Sequence, residues 1–328
     1  MQTDPAQRIS PPPYAPGTSP SVLESGQAPR PAHVPPPPPL SITALSGMTQ
    51  PPFPQFTIQF SLAFVWIFLV QLYYDDQIHL LFQLKNRPME VMTAIRMGAR
   101  MVPCMRPMVL PTDFPALEDG RHRILSLAEA CGASWAFPYQ GWRFGTSALL
   151  HYSWGHLGTN LLAFILFTWG LERRYGWRRV AGVFWVSAVG SALISSFVSS
   201  LHHVGLGASA AIFGLMGAYV VDVWLRWGDL DSPRRRLLLL FIGLGLLLVM
   251  SGGKHVDSVS HLSGMVLGAW SAGFIFPRKR VWCKEAAWRK TRFWLMGSLT
   301  GLLLLVLLPL FYLLPLPIFT ISLWSWGS

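Results

Sequence analysis

Residues 258–276 read SVSHLSGMVLGAWSAGFIF, nineteen consecutive positions without Asp, Glu, Lys or Arg. At about 1.5 Å per residue, a helix of that length covers roughly 30 Å of hydrocarbon. One imidazole, His261, falls about one turn inside it, and a polar ring in lipid needs a physical reason. Working outward, comparable apolar stretches lie at 56–74, 146–170, 180–200, 208–227, 237–251 and 293–314, the stretch 237–251 being short for a full crossing. Seven crossings in all predict an all-α polytopic membrane protein. Composition agrees: 52% of residues are hydrophobic, 12% are charged and mean hydropathy is +0.39, which excludes an ordinary soluble domain.

The net charge of +11 is distributed by loop, which argues for topology and against a nucleic-acid partner. Arg173, Arg174, Arg178 and Arg179 follow the second stretch, Arg226, Arg234, Arg235 and Arg236 follow the fourth, and 278–292 is strongly basic. Between the other spans, 201–206 has no Lys or Arg and the loop after the fifth has only Lys254. The positive-inside rule then puts the basic loops and the N-terminus in the cytosol. The first loop, 75–145, is long enough to cross regardless of its charge. Within it, 88–111 reads as an amphipathic stretch of methionines and arginines that lies on the membrane surface or binds a partner, with an irregular loop as the alternative.

Residues 1–54 hold 16 of the 27 prolines, including the run 35–39, and too few apolar residues to build a core. They read as a disordered cytosolic tail, with a polyproline ligand for an SH3-type or WW-type partner as the other reading. The tail lacks a signal peptide's apolar core and a presequence's amphipathic pattern, so the first span is expected to do the targeting. Cys104 and Cys131 share the first loop, where a disulfide is conceivable but unforced, and Cys283 reads as a free cytosolic thiol. No CxxC or His-x-x-x-His pattern occurs and His202-His203 has no carboxylate companions, so no metal is expected.

The polar residues inside the spans point to chemistry. Ser209, in Gly207-Ala208-Ser209-Ala210, begins the fourth span, and both it and His261 are expected at the same side and similar depth. A hydroxyl and an imidazole so placed make a nucleophile and its general base. His156 and Asn160, four residues apart, share a helix face and can aim at one acceptor. With the Ser209 amide at a helix N-terminus, they could form an oxyanion hole. Interhelical hydrogen bonding is the plainer reading of that pair, and an N-cap the plainer reading of Ser209. Phe213, one turn beyond Ser209, could pack beneath the imidazole. Gly264 and Gly268 form a small-residue stripe that admits a close neighbour. No carboxylate lies near Ser209 or His261 within these spans, so a dyad is expected, and His151, Ser153, His156, Asn160 and His261 could line a water-filled cavity.

Five motifs carry a resemblance: Trp142-Arg143, the string from His151 to Asn160 with His156 inside it, Glu172-Arg-Arg174, Gly207-Ala-Ser209-Ala, and Ser260-His261-Leu-Ser-Gly264-Met-Val-Leu-Gly268. In this order, from the second span to the sixth, the chain resembles the rhomboid intramembrane serine proteases. The resemblance implies a six-helix catalytic core over 55–292, with the long first loop inside it. It also implies a seventh helix and short tail over 293–328, an arrangement similar to secretory-pathway members. It further implies Ser209 as nucleophile, His261 as base, and His156, Asn160 and the Ser209 amide as oxyanion donors. Trp142, Arg143, Glu172 and Arg174 would be structural. Substrates would be single-span membrane proteins in the bilayer, no cofactor is implied, and a secretory or plasma-membrane location is expected over a mitochondrial one. The chain departs from the family in Ser260, where alanine is usual, and in the length of the first loop. The alternatives are a catalytically inactive rhomboid-like client-binding protein and, since polar residues in membranes also mark transport paths, a transporter.

Overall fold

Seven helices of 17 residues or more lie on the seven apolar stretches: α1 Gln55–Tyr74, α2 Trp154–Tyr175, α3 Trp177–Ser196, α4 Ser209–Leu225, α5 Pro233–Met250, α6 Ser258–Ile275 and α7 Glu285–Leu313. They belong to a computed structural model that describes residues 53–75, 89–107, 113–118, 121–132, 137–199, 203–250, 257–276 and 285–314. The tail and its SH3- or WW-type reading, His202 and Cys283 lie outside the described residues. Among the described helices, α1 and α3 are by themselves long and apolar enough to cross a membrane.

Several boundaries differ from expectation. Helix α2 begins at 154, not 146, because Ser153 caps it: its Oγ accepts from the His156 N–H at 3.3 Å. Residues 143–149 instead form a short helix, Arg143–Thr146, and a 3-10 turn, Ser147–Leu149. Helix α5 starts at Pro233, a residue suited to a first turn, and α7 starts at Glu285, eight residues before the apolar stretch. Gly176, with φ +83°, makes the left-handed link that turns α2 directly into α3.

The structure is mostly helical, as expected, and the first loop adds one short hairpin to it. Strands β1 Asp113–Glu118 and β2 Arg121–Ser126 pair antiparallel, Asp113 opposite Ser126. The described part of the 88–111 stretch, residues 89–107, is not one continuous amphipathic helix. It breaks into helices Val91–Arg96 and Val102–Met105, and Met89, Met92, Met101 and Met105 are buried against neighbouring protein. Cys104 and Cys131 form a disulfide across this loop. Arg106, two residues beyond Cys104, donates to the carbonyls of Phe311 and Leu314 at 2.6 Å each and of Tyr312 at 3.2 Å, capping the end of α7.

Two ends of the bundle are distinguished by what they hold. At one, Glu172 accepts from the backbone N–H groups of Phe56 and Thr57 at 2.7 and 2.8 Å and from the Thr57 hydroxyl at 2.6 Å, satisfying the start of α1. At that same end, buried Asp222 pairs with Arg174 at 2.8 Å and with Arg226, and accepts from the Tyr175 hydroxyl at 2.6 Å. The other end carries the first loop, the exit of α3 and the starts of α2, α4 and α6. Between them, Phe56, Phe60, Phe64, Phe164 and Phe184 form an aromatic core of edge-to-face and tilted rings. Helix α6 packs against α3 and α4. It meets α4 so closely that a Cβ on Gly264 would collide with the Ala210 carbonyl, and one on Gly268 with the backbone of Gly214.

Candidate functional site

That close crossing brings together side chains 52 residues apart. The His261 Nε2 lies 2.7 Å from the Ser209 Oγ. Ser209 is the first residue of α4, and His261 sits one turn into α6, so both project from helix starts at the end that carries the first loop. Both residues are partly exposed. The Phe213 ring stacks on the imidazole at 4.4 Å between centroids and 5° between planes. Among the described residues, His261 Nδ1 has no hydrogen-bond partner. A carboxylate does stand one turn earlier, at Asp257, and its hydrogen bonds go to Arg100, Ser195 and Ser260.

Gly207 adopts φ +118°, a backbone that side chains rarely take, and its missing Cβ leaves room for a neighbour. That neighbour is His156: its Nε2 lies 2.9 Å, and the Asn160 Nδ2 3.7 Å, from where a Gly207 Cβ would be. The Gly207 N–H donates to the Ser147 carbonyl at 2.8 Å, which anchors the turn into α4. The His156 Nδ1 accepts from the Tyr152 N–H at 3.4 Å. In a neutral ring this puts the proton on Nε2, the nitrogen facing Gly207. Asn160 is 6% exposed, and its Nδ2 has no acceptor among the described residues. Two donors, one of them unspent, therefore face the turn that delivers Ser209.

His151 is not placed to line an open cavity. It is fully buried, with its ring against Phe64 and His156 at 5.4 Å from each. Trp142 and Arg143 stand apart from the Ser209 turn. The Arg143 guanidinium donates to Gln140 Oε1 at 2.7 Å and to the carbonyls of Ile95, Ala99 and Cys131 at 2.6, 2.8 and 3.0 Å, under the Trp142 ring. Burial lowers its pKa to about 10, still well above neutrality, so a buried cation organises the loop by its four acceptors. Two residues that sequence reasoning missed, Arg100 and Asp257, pair at 2.6 Å. Their signal was weak because 157 residues separate them.

Residues 138–278 match the Rhomboid domain, and over that stretch the chain is similar to rhomboid proteins. A Rhomboid domain implies a protein integral to the membrane. It is similar to Rhomboid-type serine protease 2 of Emericella nidulans, 26% identical over 200 residues that make up 53% of this chain and 39% of that protein. Rhomboid-like protease 2 of Toxoplasma gondii is 28% identical over 169 residues, 52% of this chain and 57% of that one. RHOMBOID-like protein 6, mitochondrial, of Arabidopsis thaliana is 30% identical over 154 residues, 46% of this chain and 50% of that one. The chain thus spans between about two fifths and three fifths of these relatives' lengths.

Proposed function

We propose that the chain is an intramembrane serine endopeptidase that cleaves single-span membrane proteins with Ser209 and His261. The observation that carries the reading is the 2.7 Å approach of Ser209 Oγ to His261 Nε2, with Phe213 holding the ring plane. With the imidazole proton on Nδ1, Nε2 accepts the Ser209 proton as Oγ attacks the scissile carbonyl carbon. The carbonyl oxygen becomes an oxyanion, which the His156 Nε2–H, the Asn160 amide and the Ser209 N–H would receive in this reading. Collapse breaks the C–N bond, and His261 returns its proton to the leaving amine. Water then attacks the acyl-Ser209 ester, His261 takes the water's proton, and Ser209 leaves as the alcohol.

The unspent Asn160 donor favours this reading over a transporter, because a buried amide without an acceptor costs free energy that a transient oxyanion would repay. The Cys104–Cys131 bridge fits a first loop in an oxidising space. With the basic residues at the opposite end, it supports a cytosolic N-terminus and a secretory-pathway or plasma-membrane location. The test is incubation of the purified protein with a generic single-span substrate. Cleavage by the wild type that is lost in Ser209→Ala and in His261→Ala supports the protease, and retained cleavage in either variant sinks it. A wild type that neither cleaves nor reacts with a fluorophosphonate points instead to the inactive client-binding relative.

A further inference from the structure

Arg100 lies in the first loop, is 3% exposed, and touches three segments that frame the site. Its Nη1 donates to the Ala192 carbonyl at 3.0 Å and to the Ser196 hydroxyl at 3.3 Å, at the exit of α3. Its backbone exchanges hydrogen bonds with Gly205 at 2.8 and 2.9 Å, two residues before the Gly207 turn. Its Nη2 reaches Asp257 Oδ2 at 2.6 Å. Gly205 is without a side chain where the guanidinium passes, 2.7 Å from the place a Cβ would take.

Asp257 is the other half. It is the N-cap of α6, its Oδ1 accepting from the Ser260 N–H at 2.9 Å and its carbonyl accepting from the His261 N–H at 3.1 Å. Its Oδ2 also accepts from the Ser195 hydroxyl at 2.5 Å, and the His203 ring stands 3.7 Å away. One carboxylate therefore ties the start of the His261 helix to the loop segment that runs into the Ser209 turn.

We propose that Arg100 and Asp257 are positioning residues, a buried ionic strut that sets the Ser209–His261 distance from outside the reacting atoms. The proposal rests on the protease reading above. Neither side chain has a hydrogen bond to Ser209 Oγ or to the His261 ring among the described contacts. Each instead fixes the backbone from which one of them projects. A buried ion pair is a poor source of net stability compared with apolar packing, whereas its directional bonds specify geometry. The guanidinium fork supplies two directions, to α3 through Nη1 and to Asp257 through Nη2, which an ammonium cannot span at once, while the Arg100 backbone holds Gly205.

The experiment is fluorophosphonate labelling of the purified full chain in detergent. It resolves the maximal inactivation rate from the probe's half-saturation concentration and normalises both to the folded fraction read by thermal unfolding. Asp257→Asn keeps an N-cap of equal quality but removes the charge, and Arg100→Lys keeps the charge but not the fork. Each is expected to lower the maximal rate by on the order of 10²-fold, as small misplacements of reacting groups do, with half-saturation little changed. The double variant Arg100→Gln/Asp257→Asn leaves no unpaired charge and is expected to fall no further than either single change. A folded Asp257→Asn or double variant that labels at the wild-type rate overturns the strut, as do single losses that multiply in the double variant. A wild type that is not labelled, or labelling that survives Ser209→Ala, overturns the protease reading instead.

Discussion

The Phe213 ring lies parallel to the His261 imidazole, 4.4 Å away, on the same helix that carries Ser209 one turn earlier. One helix therefore supplies both the hydroxyl and the surface that sets the plane of its partner. Stacked rings are worth about 1 kcal/mol beyond their buried area. Phe213→Leu is expected to reduce the labelling rate at Ser209 by roughly fivefold, while Phe213→Tyr retains it. Labelling kinetics at matched folded fraction check this.

Asn160 offers an unspent buried donor. Asn160→Ala is expected to cut turnover of a single-span substrate by about 10²–10³-fold, the usual cost of one oxyanion donor. The unfolding temperature should not fall, since no native hydrogen bond of Nδ2 is lost. Turnover and thermal unfolding on the same preparation separate the two effects.

Gly207 combines a left-handed backbone with contact to the His156 ring. Gly207→Ala is expected to lower stability by roughly 1–3 kcal/mol through backbone strain and to push His156 out of line. Loss of labelling together with a lowered unfolding midpoint is the expected pattern. A variant with wild-type labelling would show that the turn tolerates a side chain.

Glu172 works at the far end, where its carboxylate holds the N–H groups of Phe56 and Thr57 in the first turn of α1. Glu172→Ala leaves both donors buried and unpaired, and is expected to cost about 2–5 kcal/mol. The labelling rate per folded molecule should be unchanged, because no atom near Ser209 moves. Thermal unfolding paired with labelling checks both halves.

Burial alone would raise the Asp257 carboxyl, but the Arg100 guanidinium, the Ser195 hydroxyl, the Ser260 N–H and the nearby His203 ring outweigh it and hold the group below its ordinary 3.8. A depressed folded value means the stabilisation is complete above the unfolded value and is lost as pH falls below about 3.8 through the folded one. The stability gap between wild type and Asp257→Asn should therefore stay constant from neutrality down to about pH 4 and close below it. Unfolding midpoints of both proteins across that range are the measurement.

The long helices were legible because an apolar run of about 20 residues has few other readings, and α1, α3 and α6 begin within three residues of the expected positions. Helix α2 was misjudged by eight residues because Thr146, Ala148 and Leu149 are as apolar on average as a span, while the Ser153 cap sets the true start. Spacing put His156 and Asn160 on one helix face, and the geometry has both turned toward Gly207. What sequence could not show was long-range and ionic. Arg100 with Asp257 and Arg106 with the end of α7 each join segments more than 150 residues apart. The β1–β2 hairpin was missed because Pro115 and the charged ends of both strands dilute the alternation that marks a ribbon.

Arg106 moors the closing turn of α7 to the first loop, six residues along from Arg100. Helix α7 is therefore mechanically in series with the residues that brace the centre. A pull on that helix, from a companion alongside it, would be transmitted through the short Val102–Met105 segment without anything touching Ser209.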